Sequence, residues 1–223
     1  MKKNTVEFIG TFFLVAGALF GGAIGASLAL MVVIYAGGHI SGAHYNPAVT
    51  VAMLIRKKIT TAELPGYFIA QFLGAALAAV LVYYVFEKQG VVADCTPLDE
   101  MTGRAFAAEL ISTFLLAFVV LNVATAKGTA GNSFYGLAIA GTVLAMAMAF
   151  GQYSGGVFNP AVGVGLAIHK SICWNQLWLF FVAPVAGGVL AAYVFRWTNG
   201  ADDEEPESIP EDPELRNAGS LPR

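Results

Sequence analysis

A chain of 223 residues that is 57% hydrophobic, 12% charged and of formal net charge −3 does not have the composition of a soluble protein. Eight of its fifteen acids fall in the last 22 residues (Asp202, Asp203, Glu204, Glu205, Glu207, Glu211, Asp212 and Glu214), so the net charge belongs to the tail and the body is more apolar still. This excludes a soluble enzyme, a nucleic-acid binder and a secreted disulfide scaffold, and the apolar runs are too long for the alternating strands of a membrane β-barrel.

A helix needs about 20 apolar residues to cross a bilayer. The first run, residues 6–37, holds 32 residues, too many for one span and few for two. Gly21-Gly22 near its middle offers a tight turn, which predicts two short helices with almost no loop. Residues 65–86, 105–126 and 177–197 each read as one span, and 134–150 as a shorter one extended by the glycine-rich stretch after it. That gives six spans. Two further apolar segments, Pro47–Ile55 and Pro160–Ile168, have nine residues each, about 13.5 Å of helix. Neither crosses a core of about 30 Å alone, but end to end the two nearly do. Residues 1–198 read as one membrane domain, and the acidic tail, 199–223, as disordered.

Basic residues orient the chain. With the N-terminus inside, Lys2, Lys3, Arg56, Lys57, Lys58, Lys127 and Arg196 collect on the cytoplasmic side, against Lys88, Arg104 and Lys170 outside. Seven against three places both termini in the cytoplasm and the protein in the cell (inner) membrane, with the first span as a signal-anchor.

The sequence repeats itself. Gly-His-Ile-Ser-Gly-Ala-His-Tyr-Asn-Pro-Ala-Val (38–49) matches Gly-Gln-Tyr-Ser-Gly-Gly-Val-Phe-Asn-Pro-Ala-Val (151–162), an offset of 159 − 46 = 113. At the same offset Gly74 meets Gly187, Leu77 meets Leu190, and Ala78-Ala79 meet Ala191-Ala192. Upstream, the segment starting at Glu7 resembles the one starting at Glu109, an offset of 102, so the first copy is 11 residues shorter where its first loop is missing. Repeat one covers about 4–88 and repeat two about 104–198. Each holds three spans, and an odd number inverts the second copy in the membrane. The expected fold is an all-α membrane protein of six transmembrane helices and two re-entrant half-helices in two inverted three-helix repeats.

One Asn-Pro-Ala is an ordinary helix start, because Asn caps well and Pro suits the first helical position. Two copies at one offset, each opening a nine-residue apolar helix that ends at a basic residue, imply more. Inverted symmetry brings two half-helices in from opposite faces, N-terminus to N-terminus, and irregular backbone at that depth belongs around a cavity. Each N-terminus carries roughly half a positive charge, which opposes cations and protons. Asn46 and Asn159 then stand at the pore centre, with Pro47, Ala48, Pro160 and Ala161 as half-helix starts. Carbonyls of Gly42, Ala43, His44, Gly155, Gly156 and Val157 are expected to face the pore as acceptors. Such a pore suits small uncharged solutes.

These residues resemble the aquaporin, or major intrinsic protein, family. The resemblance covers residues 4–198 and rests on Ser-Gly-Ala-His-Tyr-Asn-Pro-Ala-Val-Thr (41–50), the second Asn-Pro-Ala and both Glu-x-x-x-Thr-Phe starts. It implies a homotetramer in the lipid bilayer, with one pore per subunit for water and small neutral solutes, and no cofactor. One position departs from the family pattern. Where relatives usually carry a filter arginine after the second Asn-Pro-Ala, this chain has Val162. Counting by the family's spacing places the other filter positions at Ala26, Ala147 and Gly156, a wide and apolar set. Small-residue filters without the arginine occur among bacterial relatives that pass neutral metalloid hydroxides and methylated arsenicals, so these join glycerol and urea as candidate solutes. The glycerol subgroup usually has Asp where this chain has Gly163, which weakens glycerol as the specific solute.

Glu7 and Glu109 are the intramembrane carboxylates. The alternative function, a secondary transporter, would couple protons through them. Their repeat-related positions instead suggest that each accepts hydrogen bonds from a re-entrant loop. His39 and His44 flank the first loop as structural residues. Cys95 and Cys173 both fall on the outer side, where a disulfide depends on a separation that sequence does not give. No nucleophile–base pair, phosphate loop or metal-ligand cluster stands out, so neither an enzyme nor a metal site is expected.

Overall fold

The structure is a computed structural model that describes residues 1–86, 95 and 101–200. Lys88 and the acids of the tail lie outside the described residues. The described chain is helical: α1 (Lys2–Ser41), α2 (Pro47–Ile55), α3 (Leu64–Leu81) running on into a π-helical turn (Val82–Phe86), α4 (Thr102–Thr125), α5 (Tyr135–Ser154), α6 (Pro160–Ile168) and α7 (Leu177–Thr198).

Forty residues of straight helix would measure about 60 Å, twice a bilayer core. The 40-residue α1 does not run straight. Gly22 leaves helical geometry at φ 56, ψ −142, and breaks α1 into two limbs. The limbs fold back closely: a Cβ on Gly25 would stand 2.2 Å from the Gly17 carbonyl, so only glycine fits the crossing. Five helices are long and apolar enough to cross a membrane, and the break in α1 makes six crossing limbs.

Inverted pairing is visible in the packing. α1 packs on α3 as α4 packs on α7, and each half-helix lies against the last helix of the other repeat, α2 on α7 and α6 on α3. The two long crossings are equally tight. A Cβ on Gly74 would sit 2.4 Å from the Phe8 carbonyl, and one on Gly187 2.5 Å from that of Leu110. Small residues allow this approach where no hydrophobic effect drives helices together. Large apolar side chains such as Phe13, Leu137 and Trp197 face outward, as a lipid-facing surface requires.

One end of the bundle gathers the start of α1 and the ends of α2, α4 and α7. Lys3 pairs with Glu63 at 2.7 Å, the Arg56 guanidinium lies 5.0 Å from the Phe195 ring centre, and Asn199 bonds Asn122 at 3.3 Å. Lys3 and the Thr60 donors hold the Glu63 carboxyl down at about 2. At the other end stand the Gly22 turn, Lys170 over the Tyr83 ring at 5.2 Å, and a Cys95–Cys173 disulfide, the pairing that sequence left open.

Candidate functional site: the paired half-helices and the central cavity

Each half-helix begins where its asparagine stops an extended stretch. Asn46 (φ −155, ψ 119) caps α2 through Oδ1, which accepts from Ala48 N at 2.9 Å. Asn159 (φ −160, ψ 115) caps α6, its Oδ1 accepting from Ala161 N at 2.9 Å and Val162 N at 3.4 Å. Proline follows in both, at the position that has no amide hydrogen to satisfy. Each helix stops after nine residues, followed by Lys57 and Lys170 in left-handed backbone at φ 61 and 68.

The asparagine amides cross between repeats. Asn46 Nδ2 donates to the Phe158 carbonyl and Asn159 Nδ2 to the Tyr45 carbonyl, both at 2.9 Å. Each Nδ2 has two N–H groups, so one on each asparagine is left for a molecule passing the centre. Tyr45 (φ 49) and Phe158 (φ 50) are strained, since bulky residues rarely adopt left-handed backbone. Their carbonyls are held by the opposite asparagine and their amides by a carboxylate.

Those carboxylates are Glu7 and Glu109, both fully buried. Glu7 accepts from Ser41 Oγ (2.7 Å), His44 N (2.9 Å), Tyr45 N (2.7 Å) and Gln71 Nε2 (2.8 Å). Glu109 accepts from Ser154 Oγ (2.7 Å), Val157 N (2.9 Å) and Phe158 N (2.6 Å). Every neighbour is a donor, which fits an ionised group. The first loop has extra bracing: Gln71 Nε2 also donates to Thr50 Oγ1 at 2.9 Å, and Tyr67 Oη donates to the Ser41 carbonyl at 2.6 Å. Thr50 spends its own proton on the Asn46 carbonyl, so at 3.2 Å His44 Nδ1 is the donor to Thr50 Oγ1. The exposed His39 takes no part in this network.

A cavity of about 520 Å³ passes the two capped starts. Its lining extends from Gly22 and Ser171 at the disulfide end to Val120 and Ile139, within about two turns of the opposite end. Ala26, Ala147, Gly156 and Val162 all line it, and a Cβ on Gly156 would stand 3.3 Å from that of Ala147. Asn46, Asn159, Ala43, His44, Gly155 and Val157 line it too. Gly42, Pro47, Ala48, Pro160 and Ala161 do not, nor does either glutamate. No charged side chain is among the described residues lining the cavity. Sequence reading missed Gln71, Thr50 and Tyr67 as loop supports, although a glutamine inside an apolar span is itself a signal.

An inverted helical bundle of this kind, with re-entrant half-helices beside an uncharged internal cavity, has the architecture of a membrane channel. The family model described as Major intrinsic protein matches residues 15–195, and the chain belongs to that family. It is 36% identical to Glycerol uptake facilitator protein-like 6 of Lactiplantibacillus plantarum, over 91% of this chain and all of that one. It is 37% identical to Aquaporin NIP3-1 of Arabidopsis thaliana (87% of this chain, 67% of the relative) and 34% to Nodulin-26 of Glycine max (87% and 76%). Among solved structures, the aquaglyceroporin from Plasmodium falciparum superposes with a TM-score of 0.74 at 25% identity, covering 91% of this chain and 98% of that one. The protein is therefore a multi-pass membrane channel for water and small solutes, and not an enzyme.

Proposed function

We propose that the central cavity is a passive pore with a wide, apolar selectivity filter formed by Ala26, Ala147, Gly156 and Val162. It admits glycerol, urea, neutral metalloid hydroxides or methylated arsenicals as well as water. The observation that carries this reading is that all four small or apolar residues line one cavity without a charged neighbour. A passive pore selects by width and by its lining groups, and no side chain in this set narrows the path or donates a hydrogen bond. Gly163, set against glycerol as the specific solute, is packed on Phe180 and does not itself line the cavity.

At the centre, the free N–H groups of Asn46 and Asn159 take the oxygen of the passing molecule. The two half-helix N-termini repel cations and, without the arginine, carry most of the proton exclusion. Each subunit of a homotetramer holds one such pore, in the cell membrane with both termini cytoplasmic. The tetramer follows from the family resemblance and the orientation from the basic residues. Proton-coupled transport through Glu7 and Glu109 is disfavoured, because both lie off the cavity with their oxygens occupied by donors.

The test is solute flux into vesicles holding purified protein. Uptake should rise linearly with glycerol or urea concentration, ignore proton and sodium gradients, and vanish in an assembled Asn159→Leu variant, which loses the donor and fills the centre. Saturable uptake driven by either gradient would establish the transporter instead.

A further inference from the structure

The cavity wall on the disulfide side carries one polar group that neither the fold nor the loop network uses. Gln176 is the residue just before α7, 8% exposed, and it lines the cavity. A glutamine there has an ordinary alternative, capping the helix, but its side chain makes no capping bond, and its backbone N–H is already given to the Cys173 carbonyl at 3.0 Å. The side-chain Nε2 is enclosed and has no hydrogen-bond partner among the described residues. Buried donors in folded proteins are almost always paired, so what remains to pair this one is the content of the cavity. The terminal torsion of glutamine is broad, which lets the amide swing toward that space at little cost.

Its position matches the filter. Leu177 and Phe180, one and four residues on, pack against Gly163, with Leu177 Cδ1 at 3.6 Å and Phe180 Cβ at 3.0 Å from where a Cβ would stand. Gly163 directly follows Val162. Ser171, whose Oγ bonds His169 Nδ1 at 2.8 Å, lies on the same wall.

We infer that Gln176 is a specificity-determining residue of the pore: its amide donates a hydrogen bond to the hydroxyl or carbonyl oxygen of a neutral solute beside Val162. This rests on the cavity being the pore. A donor set to one side of a wide opening favours polar solutes over water, because a larger solute fills the width and still reaches the wall. Water passes the same width with other waters as partners.

Permeabilities to water, glycerol and urea are compared by stopped flow in vesicles for wild type, Gln176→Leu, Gln176→Glu and Ala147→Trp. Gln176→Leu should lower glycerol and urea permeability by about fivefold, the factor of one ordinary hydrogen bond, with water within about twofold. Gln176→Glu keeps the shape and removes the donor, so it should lose the same ratio and serves if the leucine variant fails to assemble. An unchanged ratio of glycerol to water, or equal losses of both, overturns the inference. Ala147→Trp separates the two readings: if the bulky ring leaves every flux intact, the cavity is not the path, whereas a blocked pore beside an unchanged Gln176→Leu ratio sinks only the role of Gln176.

Discussion

Replacing Glu109 by glutamine removes one acceptor oxygen and adds an NH2 group in a pocket whose three partners are all donors: Ser154 Oγ, Val157 N and Phe158 N. The remaining amide oxygen can serve the Ser154 and Val157 side, which leaves the Phe158 N–H facing another N–H at the present 2.6 Å contact. One orphaned buried donor costs about 1–3 kcal/mol, and the two surviving bonds weaken by about 1 kcal/mol each as they lose charge assistance. The total is about 3–5 kcal/mol, or a fall of roughly 10 °C in Tm for a chain of this size. The strain lands on Phe158, whose left-handed backbone (φ 50) is held by that amide and by Asn46 on its carbonyl. Thermal unfolding in detergent, together with solute flux in vesicles, measures both effects. A Glu109→Gln protein with unchanged Tm and unchanged flux would refute the claim that this carboxylate holds the loop.

Gly74→Ala should lower Tm, because its Cβ would lie 2.4 Å from the Phe8 carbonyl, and overpacking of this kind costs about 1–3 kcal/mol; Gly141→Ala, with open space around it, should not. Cys95→Ser should lower Tm by the loss of a crosslink between residues 78 apart in sequence, about 2–4 kcal/mol, while the relative permeability of water and glycerol stays as it was. A changed solute ratio in that variant would tie the disulfide to the filter rather than to stability.

The half-helices were legible to the residue, Pro47–Ile55 and Pro160–Ile168, because an asparagine cap and a proline start them and a fixed length limits them. The break in α1 was legible because 32 apolar residues fit neither one span nor two without a turn at the glycine pair. Matching glycines at 74 and 187 marked the repeat, but the reason for them, contact with a carbonyl on a facing helix, needs coordinates. The same repeat concealed the loop bracing. At the offset of 113, Gln71, Thr50 and Tyr67 correspond to Pro184, Gly163 and Phe180, so symmetry gave no hint that the first loop is tied by more side chains. The crossed bonds from Asn46 to Phe158 and from Asn159 to Tyr45 join residues 112 and 114 apart, and no local pattern encodes them. Gln176 escaped notice for a similar reason. Its isolation depends on what surrounds it in space.

The central claim is that a charge-free cavity with Val162 in its wall passes solutes larger than water. Stopped-flow permeabilities to water, glycerol, urea and arsenite, compared between wild type and Val162→Arg, test it most directly. Wild type should conduct the larger neutral solutes, and the arginine, adding a long cationic side chain opposite Gly156, should cut them selectively while sparing water. A wild type that conducts water alone, with no narrowing of the solute range by arginine, would contradict the account and move the constriction to another level of the pore, at Tyr45 or Phe158 beside the asparagines.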